Sequence, residues 1–130
     1  MSSNINIKNR KASFEFQIIS TFTAGISLVG TEIKSIRNNK ASISDAYCIF
    51  LDQELFVRNL HIAEYTNAGH TNHEPKRDRK LLLNRQELNK ILAKVKEKGN
   101  AIIPLRLFIN EKGKAKLEIS LAKGKKIYDK

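Results

Sequence analysis

The sequence has one cysteine, two prolines and no tryptophan among its 130 residues. A single cysteine excludes an internal disulfide framework and is typical of a reducing compartment. The longest apolar runs, such as residues 101–105, are too short to span a bilayer as a helix. The first residues show no basic segment followed by an apolar stretch, so we expect no signal peptide. Together these absences predict a cytoplasmic protein without a membrane partner.

Acidic side chains are also scarce, because 13 Asp and Glu stand against 24 Lys and Arg, which gives a net charge of +11. The sign is segregated, since residues 41–75 carry −4 and the remainder must therefore carry +15. A protein with one anion-binding side shows such a pattern, and nucleic acid is the simplest anionic partner. The alternative is a solvated lysine surface with no binding role.

Length and composition predict one folded domain over residues 1–130, since 41% of the residues are hydrophobic and 28% are charged. Phe14, Phe16 and Ile18 alternate with polar residues and predict a strand, while Ala24–Gly25 indicates a bend or bulge in extended structure. Alternation and turn residues predict a polar loop over 66–80, with further strands at 26–28, 47–51, 55–57, 103–109 and 115–121. Pro104 favours an edge strand or a strand start.

Two segments predict helices. Thr31 is a suitable N-cap for a short helix over residues 32–37. A longer helix is predicted over residues 84–98, where Asn84 and Glu87 have the spacing of a capping box and one apolar stripe follows. The chain is thus mainly β (α+β), with five or six antiparallel strands and two or three short flanking helices. This pattern predicts a small oligonucleotide-binding-like antiparallel β-barrel.

The sequence offers little catalytic chemistry. His70 and His73 are three residues apart in the predicted loop, but a zinc site needs a fuller ligand set, so we expect no metal or other cofactor. Cys48 lies within an apolar strand and is typical of a core residue, although a Cys48–His61 nucleophilic pair stays open as an alternative. No glycine-rich phosphate loop occurs. We expect no enzyme and no small-molecule substrate; an RNA-processing enzyme is the remote alternative.

Three basic segments from distant parts of the chain favour phosphate binding. The central segment, residues 75–80, precedes the second predicted helix, where Arg side chains and free backbone N–H groups can clamp a phosphate. The other two segments are residues 9–11 and 123–126. Phe14 and Tyr128 lie near cations and are candidates to stack on bases. For Phe14, packing in the core is the alternative interpretation.

Six motifs occur in order along nearly the whole chain, at residues 9–12, 24–37, 44–47, 72–83, 98–99 and 122–130. Together they resemble small protein B, the SsrA-binding (tmRNA-binding) protein family of bacteria. The resemblance implies a non-enzymatic RNA-binding protein with an oligonucleotide-binding-like barrel. Such a protein binds the tRNA-like domain of tmRNA and brings it to stalled ribosomes for trans-translation, in which ribosomes are rescued and incomplete proteins are tagged.

By position, the tmRNA contacts that the resemblance implies fall at Asn9, Leu82 and Asn84, so Asn84 has two compatible interpretations, helix N-cap and RNA contact. The candidate partners are tmRNA and the ribosome, and we expect a monomer. A general barrel protein for single-stranded or structured RNA is the alternative. The candidate RNA-binding residues are Asn9, Arg10, Lys11, Phe14, Lys34, Arg37, Lys76, Arg77, Arg79, Lys80, Leu82, Asn84, Lys123, Lys125 and Lys126, and the ribosome-facing candidates are Tyr128, Asp129 and Lys130.

Three features depart from the family pattern. Thr23 stands where an acidic residue is common, so we assign it no role. Phe14 stands where histidine is frequent in the family. Its phenyl ring keeps the ability to stack but loses the hydrogen bond that a histidine can make. The family continues beyond Lys130 with a long basic tail that this sequence lacks. We therefore expect either a truncated chain or an unusually short member of the family, which binds tmRNA but cannot complete tagging.

Overall fold

The computed structural model describes residues 5–66, 71–97 and 99–125. Within these ranges the chain is mainly β, as the sequence predicts. The strands are β1 (Asn6–Lys8), β2 (Phe16–Ile26), β3 (Ala41–Ser42), β4 (Tyr47–Leu51), β5 (Glu54–Arg58), β6 (His61–Ile62), β7 (Arg79–Leu82), β8 (Asn100–Ile109) and β9 (Ala115–Gly124). The helices are short: α1 (Ala12–Glu15), α2 (Gly30–Arg37) and α3 (Arg85–Val95).

Six of the strands form a ring in the order β8, β4, β5, β7, β2 and β9. The ring is closed because β9 pairs with β8. All of these pairings are antiparallel. β1 adds to β8 outside the ring, and β3 pairs with β6 in a separate two-stranded sheet. The ring brings strands from both ends of the chain together, since β2 pairs with β9 along most of its length.

The core lies inside the ring and follows from alternation along the strands. In β9 the alternate residues Ala115, Leu117, Ile119 and Leu121 are buried, and Ser120 and Ala122 near its end are buried as well. The two longer helices each pack one apolar side against this core. Their buried residues include Ile36, Leu88 and Ile91. Burial of each large aliphatic side chain contributes about 1.5–3 kcal/mol, so these positions hold the ring together.

The predicted hairpin over residues 47–57 is confirmed as β4 and β5. Its turn residues Asp52 and Gln53 have positive φ angles of 51° and 67°. Two consecutive residues with positive φ angles form a tight hairpin turn whose twist matches that of the flanking strands.

The two predicted helices are also confirmed, with different ends. In α2 the N-cap is Val29, not Thr31, and the Glu32 carboxylate accepts a hydrogen bond from the Val29 N–H at 2.9 Å. The other helix, α3, ends at Val95 instead of residue 98. Its capping box is present, because the Asn84 side chain accepts from the Glu87 N–H.

Three expectations about extended structure are wrong. Phe14 lies in α1, and the strand begins only at Phe16. Pro104 lies within β8 beside a register shift, and this bulge is the site that tolerates its missing N–H. The predicted loop over residues 66–80 is shorter, because Arg79 and Lys80 already belong to β7.

The bulge that the sequence indicates at Ala24–Gly25 lies elsewhere in β2. The register against β9 shifts between Ile18 and Ser20, which leaves Ile19 as the extra residue. Residues 24 and 25 continue the regular pairing with β9.

Candidate nucleic-acid interface

The first and last basic segments of the sequence meet at one end of the ring. Phe16 at the start of β2 pairs with Gly124 at the end of β9. Beyond this pair the Lys125 ammonium donates to the Ser13 carbonyl oxygen over 2.8 Å. Antiparallel pairing therefore brings together two segments that are far apart in sequence. We call their exposed side chains the end patch, which comprises Arg10, Lys11, Phe14, Lys123 and Lys125.

Phe14 is exposed in the end patch. Its side chain is 76% accessible to solvent, whereas its neighbour Ala12 is the residue of α1 that is buried. The alternative of core packing for Phe14 is therefore wrong. An exposed phenyl ring among cations has the geometry that stacks on an unpaired base.

Asn9 fixes the backbone beneath the end patch. Its Nδ2 donates to the Pro104 carbonyl oxygen at 3.0 Å, and its Oδ1 accepts from the Lys11 N–H at 3.3 Å. The Asn9 N–H also donates to the Leu105 carbonyl oxygen at 2.8 Å. These bonds hold the turn between β1 and α1, so the amide positions its basic neighbours.

The central basic segment is largely turned inward by Glu32, a carboxylate that sequence reasoning missed. Glu32 is fully buried, and its Oε2 accepts from the Nε of Arg79 at 2.7 Å and from the Nε of Arg77 at 2.8 Å. Its Oε1 accepts from Arg77 Nη2 at 2.8 Å and from the Val29 N–H. Such complete hydrogen bonding compensates for the cost of burying the charges.

The charges of this cluster shift the pKa values of its members. Burial raises the pKa of Glu32, but the hydrogen bonds from Arg77, Val29 and Arg79 outweigh burial and hold that pKa below its ordinary value. Burial also lowers the pKa of Arg79, and the bond to Glu32 opposes this effect. The Arg79 guanidinium also donates to the Leu60 carbonyl oxygen at 2.6 Å, which satisfies a further buried donor.

Only part of the central segment faces outward. Arg79 has no exposed surface, and its guanidinium N–H groups donate to Glu32 and to backbone carbonyl oxygens inside the protein. The expectation that it contacts RNA therefore does not fit its position. The Arg77 side chain is 34% exposed, and the Lys80 ammonium lies 3.8 Å from the Glu54 carboxylate. Lys76 is exposed and has no ion pair within the described residues.

A second group of cations surrounds a cavity of about 340 Å³ beside β7. Leu82 is 53% exposed there and pairs with Gly25 of β2. A Cβ atom at Gly25 would lie 3.3 Å from the Leu82 Cβ, so glycine permits this close approach. We call the lining residues that carry charge or contact Leu82 the cavity patch, which comprises Gly25, Arg37, Leu82, Lys114 and Lys116.

Lys114 and Lys116 are residues that sequence reasoning missed. Alternation along β9 identifies them only as solvent-facing positions. In the structure the turn between β8 and β9 lies beside α2, where the Arg37 guanidinium donates to the Gly113 carbonyl oxygen over 3.4 Å. No spacing in the sequence indicates this proximity.

Two further candidates have local partners. The Asn84 Oδ1 accepts from the Glu87 N–H at 2.8 Å, and the Asn84 N–H donates to Glu87 Oε1 at 3.4 Å. Asn84 is nevertheless exposed, so its cap and an RNA contact are compatible. The Lys34 ammonium lies 5.5 Å from the centroid of the Tyr65 ring, within the range of a cation–π interaction.

Two residues considered for catalysis, His73 and Cys48, are buried and have structural roles. His73 is buried, with Nε2 at 2.8 Å from the Ile62 carbonyl oxygen and Nδ1 at 2.9 Å from the Thr31 hydroxyl, so it does not face solvent. Cys48 is buried, and burial raises the pKa of its thiol.

Among the described residues, no three His, Cys, Asp or Glu side chains are grouped to hold a metal ion. None of the helices described is long and apolar enough to cross a membrane.

Several residues singled out from the sequence lie outside the described ranges. They are His70, Lys126, Tyr128, Asp129 and Lys130.

The fold and the exposed cations define a class of small, basic, mainly antiparallel β proteins whose surface suits a polyanion such as nucleic acid. Residues 6–130 match the model of the SmpB protein family. The chain belongs to this family.

Curated relatives agree with that assignment over the full length of the chain. The chain is 58% identical over 130 residues to the SsrA-binding protein of Christiangramia forsetii, covering 100% of this chain and 83% of the relative. It is 60% identical over 126 residues to the SsrA-binding protein of Phocaeicola vulgatus, covering 97% and 84%.

A solved structure has the same fold. It is described as "tmRNA-SmpB: a journey to the center of the bacterial ribosome", and it superposes with a TM-score of 0.79 at 43% sequence identity. The superposition covers 97% of this chain and 88% of the other.

Proposed function

We propose that this protein binds tmRNA and brings it to stalled ribosomes for trans-translation, and that it has no enzymatic activity of its own. The observation that carries the proposal is the family match over residues 6–130, together with relatives of 58% and 60% identity that are SsrA-binding proteins. The likeness to a tmRNA–SmpB structure supports the ribosome as the second partner.

The tRNA-like domain of tmRNA is the RNA that we assign to the end patch and the cavity patch. Both patches combine exposed cations with one exposed apolar side chain, Phe14 in the first and Leu82 in the second. Cations hold phosphates, and apolar or aromatic surfaces contact unstacked bases, so the combination suits a folded RNA with exposed loop bases. Asn84, Lys34, Lys76 and Arg77 extend the proposed surface, while Arg79 is left out of it.

The finer features of the fold and context belong to the same proposal. The closed ring with its flanking helices fits an oligonucleotide-binding-like barrel, which binds nucleic acid in many proteins. We take residues 1–130 as a single RNA-binding domain that acts as a monomer in the cytoplasm. Lys126 is kept as an RNA contact, and Tyr128, Asp129 and Lys130 are kept as ribosome-facing residues.

The test is an electrophoretic shift with the tRNA-like domain of tmRNA against a folded control RNA of equal length. We expect preference for the tRNA-like domain and a steep loss of affinity between about 0.05 M and about 0.2 M salt, because phosphate contacts release counterions. Equal binding of both RNAs would contradict the proposal. Equal competition by an unstructured RNA would instead favour a general single-strand-binding protein, the role that exposed Phe14 would also serve.

A further inference from the structure

The strand β2 has one unpaired edge. Along one side it pairs with β9 from Phe16 to Gly25, but along the other side it pairs with β7 only at Gly25 and Ile26. Within the described part of the chain, the backbone of residues 17–24 makes no hydrogen bond on that second side. An open strand edge presents alternating N–H and C=O groups and is a template for another strand.

Nothing in the side chains of β2 protects this edge. Residues 16–31 contain no charged side chain, although the chain as a whole has 24 cations. Natural edge strands are usually blunted by lysine, proline or a bulge, or are covered by a helix or loop. In β2 the bulge is at Ile19, which is 50% exposed, and α3 lies beside residues 19–22 across a groove.

A groove runs between this edge and α3. Its volume is about 630 Å³, and its apolar lining includes Ile19, Phe22, Ile91, Ala93 and Leu121. The groove is outside both RNA patches, since it shares no residue with the end patch or the cavity patch. An apolar groove beside an unpaired strand supplies both elements of strand addition, namely backbone partners and side-chain pockets.

The charge along the groove has one sign. Lys90 and Lys94 of α3 line it, and no acidic side chain among the described residues does. Lys94 lies 3.6 Å from Glu97, whereas Lys90 has no ion pair within the described residues. The groove therefore favours an occupant with negative charge on one side and apolar groups on the other.

We propose that the β2 edge and this groove bind an extended acidic peptide segment of a partner protein. The segment adds as a strand to residues 17–24, places alternate apolar side chains in the groove and directs carboxylates towards Lys90 and Lys94. Strand addition of this kind takes its affinity from main-chain hydrogen bonds and its specificity from alternate pockets.

RNA and a second copy of the chain fit this surface less well. Half of the polar groups on a strand edge are carbonyl oxygens, which repel phosphates, and the groove wall is apolar. A second copy paired through its own β2 edge would bring another Lys90 and Lys94 towards the first pair, which like-charge repulsion disfavours. The inference does not rest on the RNA-binding function, because it uses none of the residues assigned to RNA.

The probe is a fluorescein-labelled peptide of about ten residues in which valine alternates with glutamate, a length that matches one strand. Fluorescence anisotropy measures its binding to the full chain. Two further peptides carry N-methyl groups on one or the other set of alternate residues, and a scrambled peptide keeps the composition. Strand addition predicts that one methylated peptide loses binding at least about tenfold while the other binds normally, since only one edge of the peptide faces β2. Equal binding of both methylated peptides, or of the scrambled peptide, would overturn the proposal.

Variants of the protein locate the site. I19D places a carboxylate at the exposed bulge and is expected to weaken peptide binding at least about tenfold, and K90E to weaken it several-fold. K96E is the matched control, because Lys96 is exposed on the same helix end and does not line the groove. Thermal unfolding by circular dichroism establishes that each variant is folded. Three results would each contradict the peptide as occupant. They are unchanged peptide binding by I19D, displacement of the peptide by an unstructured RNA, and a wild-type dimer that is lost in the I19D variant.

Discussion

The Nε of Arg79 donates to the Oε2 of Glu32 over 2.7 Å, and neither side chain has any surface exposed to solvent. The pair joins α2 to the start of β7. Arg77 binds the same carboxylate, so a single acidic residue holds two cations of the central basic segment. The position of this segment against α2 therefore depends on one buried charge.

Replacement of that charge tests its structural role. E32Q leaves the Arg79 guanidinium buried without a counterion, and we expect the free energy of unfolding to fall by about 3–5 kcal/mol. Urea unfolding followed by circular dichroism measures the change. E54Q is the control, because the Glu54 carboxylate pairs with Lys80 and Arg85 at the surface, and its loss should be much smaller. Equal effects of the two substitutions would contradict the role of Glu32.

The lowered pKa of Glu32 predicts how stability depends on pH. A carboxyl whose pKa is lower in the folded state contributes stability above its unfolded pKa, and this contribution is lost as pH falls through the folded pKa. We expect the wild-type free energy of unfolding to decrease from about pH 5 downwards, and E32Q to decrease less steeply. Asp78, whose pKa is lowered by its hydrogen bond to Arg58, adds to the slope in both proteins. Identical slopes would mean that the pKa of Glu32 is the same in the folded and unfolded states, contrary to the lowered value expected here.

Two substitutions separate the cap of Asn84 from its proposed RNA contact. N84A removes the acceptor of the Glu87 N–H and is expected to cost about 1 kcal/mol of stability. N84D keeps that acceptor but adds a negative charge at the proposed RNA surface. We therefore expect N84D to retain stability and to bind the tRNA-like RNA more weakly. If N84D binds RNA as well as the wild type, Asn84 serves only as a cap.

The salt dependence of RNA binding tests the two patches. K125Q in the end patch and K116Q in the cavity patch should each reduce the slope of log affinity against log salt by roughly one, if each lysine holds one phosphate. K96Q is the matched control, because Lys96 is an exposed lysine outside both patches. Electrophoretic shifts over a series of salt concentrations give the slopes. A reduced slope for K96Q alone would place the RNA elsewhere.

Local patterns were the most predictable part of the molecule. The capping box of Asn84 and Glu87 follows from a spacing of three residues, and the β4–β5 hairpin follows from two apolar runs with a short turn. Both features depend on neighbouring residues, so the sequence contains all the information required. The family resemblance adds the RNA-binding role, and the family match confirms that resemblance.

Features that depend on tertiary contacts were not predictable in this way. Glu32 meets Arg77 and Arg79 only because the ring places α2 against the segment before β7, and no periodicity links positions so far apart. The exposure of Phe14 depends on α1, a helix too short to produce a periodic pattern. Lys116 joins Arg37 at the cavity only through the position of the β8–β9 turn.

The long pairing of β2 with β9 also has a consequence for biosynthesis. β2 is complete early in translation, but its partner is the last strand described, so the ring cannot close until nearly all of these residues have left the ribosome. Until then the uncharged strand β2, with its apolar residues Phe16, Ile18, Ile19 and Phe22, remains open to nascent neighbours on both sides. Non-local pairing of this kind slows folding and prolongs exposure to aggregation. Closure of the ring is therefore expected to wait for the synthesis of β9 and to benefit from a chaperone that shields extended apolar segments.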